Sequence, residues 1–328
     1  MENEFGLLNL IGNTPVIKLN SLFPKENYGF DIYAKLESFN PGGSAKDRSA
    51  YSILFHARED GRINDDTVII ESSSGNLGIA LAQICKLWKQ RLICVVDPKI
   101  TPQNKKLLKA YGAELDCVTE PDEVTGEFLQ SRLNRVKELL QEIPNSYWPN
   151  QYSNIYNPLG HRSAAKELFE SLGSNIDYIF VAVGTCGTIR GYSDYIKDKK
   201  LKTKVIAVDA VGSVIFGGKR GKRLIPGHGA AVVPDLFYEE MAYECIHVTD
   251  MDCVTGCRRL LNTEAVFAGG STGAIVSAIE KYSSQIPKGS KCAFIVHDRG
   301  ERYLNNVYCD EWVNEKLCHA RTEELVLH

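Results

Sequence analysis

Short apolar runs rich in Val and Ile alternate along this chain with longer stretches whose apolar residues recur three and four apart. The runs predict buried strands and the longer stretches predict amphipathic helices. In the first half, strands are expected at 67–71 (TVIIE), 91–97 and 113–118, and helices at 75–88, 101–112 and 126–143. The helix at 101–112 is punctuated at both ends, with Thr101 placed to cap it, Pro102 at its first position and Gly112 at its stop. After PNSYWPNQY (144–152) the alternation restarts. Strands are expected at 177–183, 204–210, 243–248 and 291–297, and helices at 189–199, 251–264 and 271–285. Alternation of this kind predicts mostly parallel sheets covered by helices. Two such blocks predict two α/β domains, with a cleft between them.

Composition narrows the field without naming a chemistry. The chain has 328 residues, 44% hydrophobic and 24% charged, with a net charge of -3. That charge argues against strong attraction to nucleic acid or an anionic membrane. No apolar run approaches the roughly 20 residues that span a bilayer. The start, MENEFGLLNLIGNTP, lacks a basic segment and a small-residue cleavage site, so a cytoplasmic protein is expected. Ten cysteines are scattered, and Cys85, Cys94, Cys117 and Cys292 sit in apolar runs. Buried free thiols in a reducing compartment are expected. Cys253 and Cys257 would stand one helical turn apart, but no second pair or clustered His completes a set, so no metal site is expected. GGKRGKRLIPGHGA (217–230) is a long Gly-rich connection of the sort that often serves function.

Four loops at strand ends carry candidate chemistry, because open parallel sheets bind ligands beyond the carboxyl ends of their strands. In NPGGSAKDRSA (40–50), Pro41 and two glycines make a turn, Ser44 can cap a helix, and Lys46 falls in its first turn. A lysine at a helix start is electrostatically unfavourable, which would lower its amine pKa as a Schiff-base lysine requires; it could equally be a solvated partner of Asp47. ESSSGNLGIA (71–80) offers hydroxyls and free N–H groups suited to a carboxylate or phosphate, or else plain helix capping. VAVGTCGTIRG (181–191) reads as a phosphate cradle, with Thr185 and Thr188 as extra donors. It is neither a Walker A loop nor a dinucleotide fingerprint, which excludes a nicotinamide enzyme. In FAGGSTGAIV (267–276), Ser271 enters a helix, either as a cap or as a neutral partner for a ring nitrogen.

These four stretches, in this order, resemble the cysteine synthase / cystathionine β-synthase family of fold-type II pyridoxal phosphate (PLP) enzymes. The resemblance runs from IGNTPVIKL (11–19) to DRGERYL (298–304). It implies two three-layer α/β domains with mostly parallel sheets, tryptophan synthase β-like, and an active site in the cleft between them. The smaller domain would be 42–152, and the larger 1–41 plus 153–328. It implies that Lys46 carries PLP as a Schiff base and moves the substrate Cα proton, and that Asn76 bonds the ring oxygen. Gly184, Thr185, Cys186, Gly187 and Thr188 would hold the phosphate, and Ser271 would meet the pyridine nitrogen. Ser73, Ser74, Gly75 and Gln151 would face the substrate α-carboxylate. A neutral partner at the ring nitrogen favours β-elimination and replacement over transamination. The family is usually homodimeric.

Within that family the chain departs from the cysteine synthases. Leu77 stands where they usually have Thr, Tyr152 where they have Phe, and GGSTG where they have Gly-Ile-Ser-Ser-Gly. These features are closer to a branch that condenses O-phospho-L-serine with L-glutamate, releasing phosphate, on a route to 2,3-diaminopropionate and a siderophore. Arg132 matches a substrate arginine of that branch, though on residue grounds it could lie on a solvated helix face. Tyr152 would add a hydroxyl to the site, or else pack beside Trp148. Gly184, His228 and His297 depart from the branch's pattern. The alternatives are a cysteine synthase using O-acetylserine or O-phosphoserine with sulfide, and a non-enzymatic binding protein that keeps the fold.

Overall fold

The computed structural model describes residues 6–123, 126 and 128–318. Residue 127, within the helix expected at 126–143, lies outside that set. The elements run β1 (Val16–Leu19), α1 (Lys25–Tyr28), β2 (Asp31–Leu36), α2 (Lys46–Glu59), β3 (Val68–Ser72), α3 (Asn76–Trp88), β4 (Leu92–Val96), α4 (Pro102–Tyr111), β5 (Glu114–Cys117), α5 (Phe128–Glu142), β6 (Ser146–Tyr147) and α6 (Tyr156–Leu172). They continue with β7 (Tyr178–Ala182), α7 (Gly187–Asp198), β8 (Lys204–Ala210), β9 (Glu244–Val248), α8 (Asp250–Glu264), α9 (Gly270–Tyr282), β10 (Lys291–Val296) and α10 (Asp310–Val313). The chain forms two compact α/β units. One takes residues up to Gly12 with Asn40–Gly160; the other takes Asn13–Phe39 with the residues from His161 on.

The first unit holds a four-stranded parallel sheet in the order β5-β4-β3-β6. Every residue of β3 and β4 is buried, as unbroken apolar runs demand when helices cover both faces. Ile69 turns to one face, with Leu54 of α2, Leu81 of α3 and Leu108 of α4. Val68 and Ile70 turn to the other, against Val136 and Leu139 of α5. The expected α4 boundaries hold: the Thr101 hydroxyl accepts from Asn104 N–H, Pro102 opens the helix, and Gly112 ends it in a left-handed conformation. Cys85, Cys94 and Cys292 are buried free thiols, but Cys117 is exposed. It ends β5, an edge strand with no neighbour on its outer side, so an apolar run there does not guarantee burial.

The second unit holds a six-stranded sheet in the order β1-β2-β10-β7-β8-β9, parallel except for the antiparallel β1–β2 pair. On β7, Tyr178 and Phe180 pack toward α8 and α9 residues such as Cys257 and Ile275. Ile179 and Val181 pack the other way, toward α6 and α7 residues such as Leu168 and Ile189. Hydropathy predicted neither the β1–β2 pair nor α6. The start of α6 carries Pro158 and Gly160, which read as breakers, and β1 is only partly buried. Among the described residues, no helix is long and apolar enough to cross a membrane.

Candidate active site

In the first unit, the carboxyl ends of the parallel strands present several candidate residues along one sheet edge. β3 runs into Ser73, Ser74, Gly75 and Asn76. β4 runs into Asp97, and β6 into Trp148–Tyr152. Gly75 caps α3 without any side-chain bond, and no acidic residue occupies the first turn. The positive end of the helix therefore faces the loop without a built-in counter-charge. The Ser73 hydroxyl accepts from Gly78 N–H at 3.0 Å, and Asn104 Nδ2 donates to the Ser74 carbonyl at 3.0 Å. A Cβ on Gly78 would stand 2.7 Å from the Ser73 carbonyl oxygen, so only glycine lets the loop fold this closely on its helix.

Lys46 is the first residue of α2 and is half-buried. Gly43 N–H donates to the Asn40 carbonyl at 2.8 Å, and Gly43 has a φ of 81°, so the Pro-Gly-Gly stretch is a tight turn. The Ser44 hydroxyl accepts from Lys46 N–H at 3.3 Å. The buried Asp47 carboxylate accepts from Gly42 N–H at 2.5 Å, so it serves the turn. Three residues along α2, the Ser49 hydroxyl meets Asn157 Oδ1 at 2.8 Å, and Asn157 Nδ2 donates to the Gln151 carbonyl at 2.7 Å. The lysine helix and the Gln151 loop are thus joined through a fully buried asparagine.

Gln151 is buried and Tyr152 half-buried. Tyr152 lies outside the apolar cluster to which Trp148 belongs. Behind this loop sits Glu71, 1% exposed at the end of β3. Its Oε1 accepts from Ser72 N–H at 2.8 Å and from Trp148 Nε1 at 3.1 Å. Burial pushes this carboxyl up to about 7, against the bonds from Trp148, Ser72 and the Gln151 backbone and the charge of Arg132. Arg132 is no surface arginine: its side chain is 15% exposed, and Nε lies 3.3 Å from Asp97 Oδ2. The solvated face of α5 belongs to Arg135, paired with Asp116, Glu138 and Glu142.

The second unit carries the other candidates: the Gly184–Thr188 turn follows β7 as expected, but the Ser271 stretch follows helix α8 and not a strand. Gly184–Cys186 leave β7 and Gly187 opens α7. Cys186 caps α7 in a left-handed conformation, φ 62°, which a side-chain-bearing residue seldom adopts. Such a reversal turns successive N–H groups to one side, and the first turn of α7 has no acidic residue. Thr185 and Thr188 are both 8% exposed, and Thr188 Oγ1 lies 3.4 Å from His161 Nε2. A Cβ on Gly184 would come within 3.0 Å of the Gly227 carbonyl. The 217–230 connection therefore presses on the cradle, and glycine fits there where a serine would crowd. Ser271 lies in the first turn of α9, buried, and no side chain caps that helix. Gly269 N–H donates to the Asp298 carbonyl beyond β10, and β10 pairs with β7. The Ser271 turn and the cradle thus stand at the same edge of neighbouring strands.

His228 is buried, with Nε2 3.1 Å from the Val208 carbonyl and Nδ1 3.8 Å from Cys253 Sγ. Burial lowers its pKa, and it is a packed side chain of the sheet's underside. His297 follows β10, and its N–H donates to Thr272 Oγ1 at 3.1 Å. Motif reading passed over Glu71, Asn104 and Asn157. Glu71 had a signal, a charged residue closing an apolar strand; Asn104 and Asn157 had none, since their partners are distant in sequence.

A family model described as pyridoxal-phosphate dependent enzyme matches residues 7–298. Among solved structures, the chain is similar to an O-acetylserine dependent cystathionine beta-synthase from Helicobacter pylori, at 31% identity over 94% of this chain and 100% of that one, TM-score 0.85. It is similar to a cysteine synthase from Entamoeba histolytica at 32% identity over 93% and 90%, TM-score 0.86. It also matches an O-ureido-L-serine synthase at 27% identity over 95% and 96%, TM-score 0.85.

Proposed function

The chain belongs to the family of pyridoxal-phosphate dependent enzymes, and we propose that it replaces the phosphate of O-phospho-L-serine with the amino group of L-glutamate, giving N-(2-amino-2-carboxyethyl)-L-glutamate. The coarser activity, PLP-dependent β-replacement of the cysteine synthase type, is what its structural relatives share. The observation that carries the finer reading is Arg132. A mostly buried guanidinium, steadied by Asp97 at the edge that bears the Ser73–Asn76 loop, suits substrates with several negative charges, which sulfide is not.

PLP, when bound, supplies the electron sink for the reaction. The residues proposed to hold it fit its chemistry. The Gly184–Thr188 turn offers backbone donors and two hydroxyls to a phosphate, and Ser271 offers a neutral hydroxyl to a ring nitrogen. Asn76 bonds the ring oxygen. Lys46 would hold the cofactor through its Nζ, and its free amine would be the base that takes the Cα proton and returns it. Ser73, Ser74, Gly75 and Gln151 orient the substrate carboxylate. Tyr152 gives the site a hydroxyl that a Phe would lack. The working form is a homodimer, as the family resemblance implies.

A second reading, cysteine synthesis from O-acetylserine or O-phosphoserine with sulfide, is favoured by the similarity to the Entamoeba cysteine synthase. Incubation of the holoenzyme with O-phospho-L-serine and either glutamate or sulfide, read by mass spectrometry and phosphate release, separates the two. The glutamate adduct is expected; efficient cysteine formation with no adduct overturns the proposal. Arg132→Ala should lower turnover with phosphoserine and glutamate by about tenfold or more while leaving PLP bound.

A further inference from the structure

Three side chains that the proposed reaction does not use meet at the open edge of the second sheet. Asp209 is near the end of β8, and Cys245 and His247 are alternate residues of the edge strand β9. The register sets Asp209 beside His247 and Ala207 beside Cys245. Alternation along a strand then turns all three side chains to one face. Their donor atoms lie within 4.8 Å of one another.

One of these donors, His247 Nε2, has no hydrogen-bond partner among the described residues. Asp209 is 0% exposed; Ala210 N–H donates to its Oδ1 at 2.8 Å and Phe216 N–H to its Oδ2 at 3.4 Å. His247 Nε2 lies 3.9 Å from Asp209 Oδ2, beyond hydrogen-bond reach. A ring nitrogen shielded from solvent without a partner is costly, and the nearby Asp209 carboxylate and Cys245 thiol offer what a bridging cation would need.

We propose that Asp209, Cys245 and His247 bind a zinc ion, with water as the fourth ligand. The donor set selects the metal. Magnesium and calcium take all-oxygen sets, whereas zinc accepts thiolate, imidazole and carboxylate together in a tetrahedron with bonds of about 2.0–2.3 Å. Closing the donors to tetrahedral spacing, about 3.5 Å apart, asks for small rotations of Cys245 and His247, both only half-buried. Binding releases the Cys245 thiol proton to solvent and leaves the metal bound to thiolate. The ion ties the edge strand β9 to β8, and its ligands are none of the residues proposed for PLP.

The test uses the PLP-loaded enzyme, stripped with a chelator and then dialysed against zinc or cobalt(II). About one zinc per chain by elemental analysis is expected, with a higher melting temperature. Cobalt(II) should give visible ligand-field bands of a tetrahedral site and a near-ultraviolet thiolate charge-transfer band. Cys245→Ser should abolish the charge-transfer band, and Cys245→Ser and His247→Ala should each weaken zinc binding at least roughly tenfold. Their PLP absorbance and circular dichroism should stay unchanged. Absence of stoichiometric zinc in the wild type, or undiminished binding in both variants, overturns the proposal. If a variant fails to fold, the wild-type cobalt spectrum decides: without a thiolate band the site does not exist.

Discussion

Glu71 closes the apolar run of β3 with a carboxyl group that has almost no water around it. Its raised pKa has a direct consequence for stability. The folded state holds the Glu71 proton more tightly than the unfolded state, so stability falls as pH rises from the ordinary 4.5 through about 7. The fall amounts to roughly 3 kcal/mol and is complete above that range. Glu71→Gln keeps an acceptor for Ser72 and Trp148 without a charge. Its unfolding free energy should therefore lack this fall when compared with wild type at about pH 5 and about pH 8. Parallel pH dependences would remove Glu71 as the titrating group. Lys46 carries a second residue-scale expectation. Borohydride reduction of the holoenzyme should fix one PLP to Lys46, seen in the intact mass and mapped by peptide analysis. Lys46→Ala should fix none and lose about 10²–10⁴ in turnover; PLP fixed to another lysine refutes the assignment. Lys46, the Ser-Ser-Gly-Asn loop, the cradle and Ser271 were legible as local motifs. Glu71, Asn104 and Asn157 were not, because what they do depends on partners brought near only by folding.

At the scale of elements, helix starts do most of the positioning. α3 and α7 begin at the carboxyl ends of β3 and β7, α9 follows α8, and none of the three has an acidic residue in its first turn. By contrast α8, away from the candidate residues, opens with Asp250 and Asp252 and a reciprocal capping box at Thr249. The difference fits anion binding at the first three and self-sufficiency at the last. The α3 start also depends on Gly78. In Gly78→Ala the new Cβ meets the Ser73 carbonyl at 2.7 Å, and that oxygen is backbone and cannot swing away. The substitution should cost about 1–3 kcal/mol in spite of alanine's better helix propensity. KM for phosphoserine should rise more than kcat falls, because the displaced loop is the proposed carboxylate nest. An unchanged melting temperature and KM would mean the loop tolerates the shift.

For the whole molecule, the cofactor is expected to be part of what keeps the native state folded. A ligand bound only by the folded chain stabilises it in proportion to the logarithm of its saturation, about 2.7 kcal/mol at a hundredfold excess over Kd. Removal of PLP should therefore lower the melting temperature by several degrees, restored by adding PLP back; equal melting of the two forms would contradict a specifically bound cofactor. The sequence by itself determined the α/β alternation, the α4 caps, three of the four loops read as strand ends and the family. Each of these rests on periodicity, capping chemistry or short contiguous motifs, which are local. The tertiary structure decided what local pattern cannot carry: that Cys117 is exposed on an edge strand, that a half-buried Arg132 pairs with Asp97, that His228 packs beneath the sheet, and that Asp209 stands beside Cys245 and His247. These depend on strand order and register, and a parallel sheet sets both through long crossovers that leave no mark on neighbouring residues.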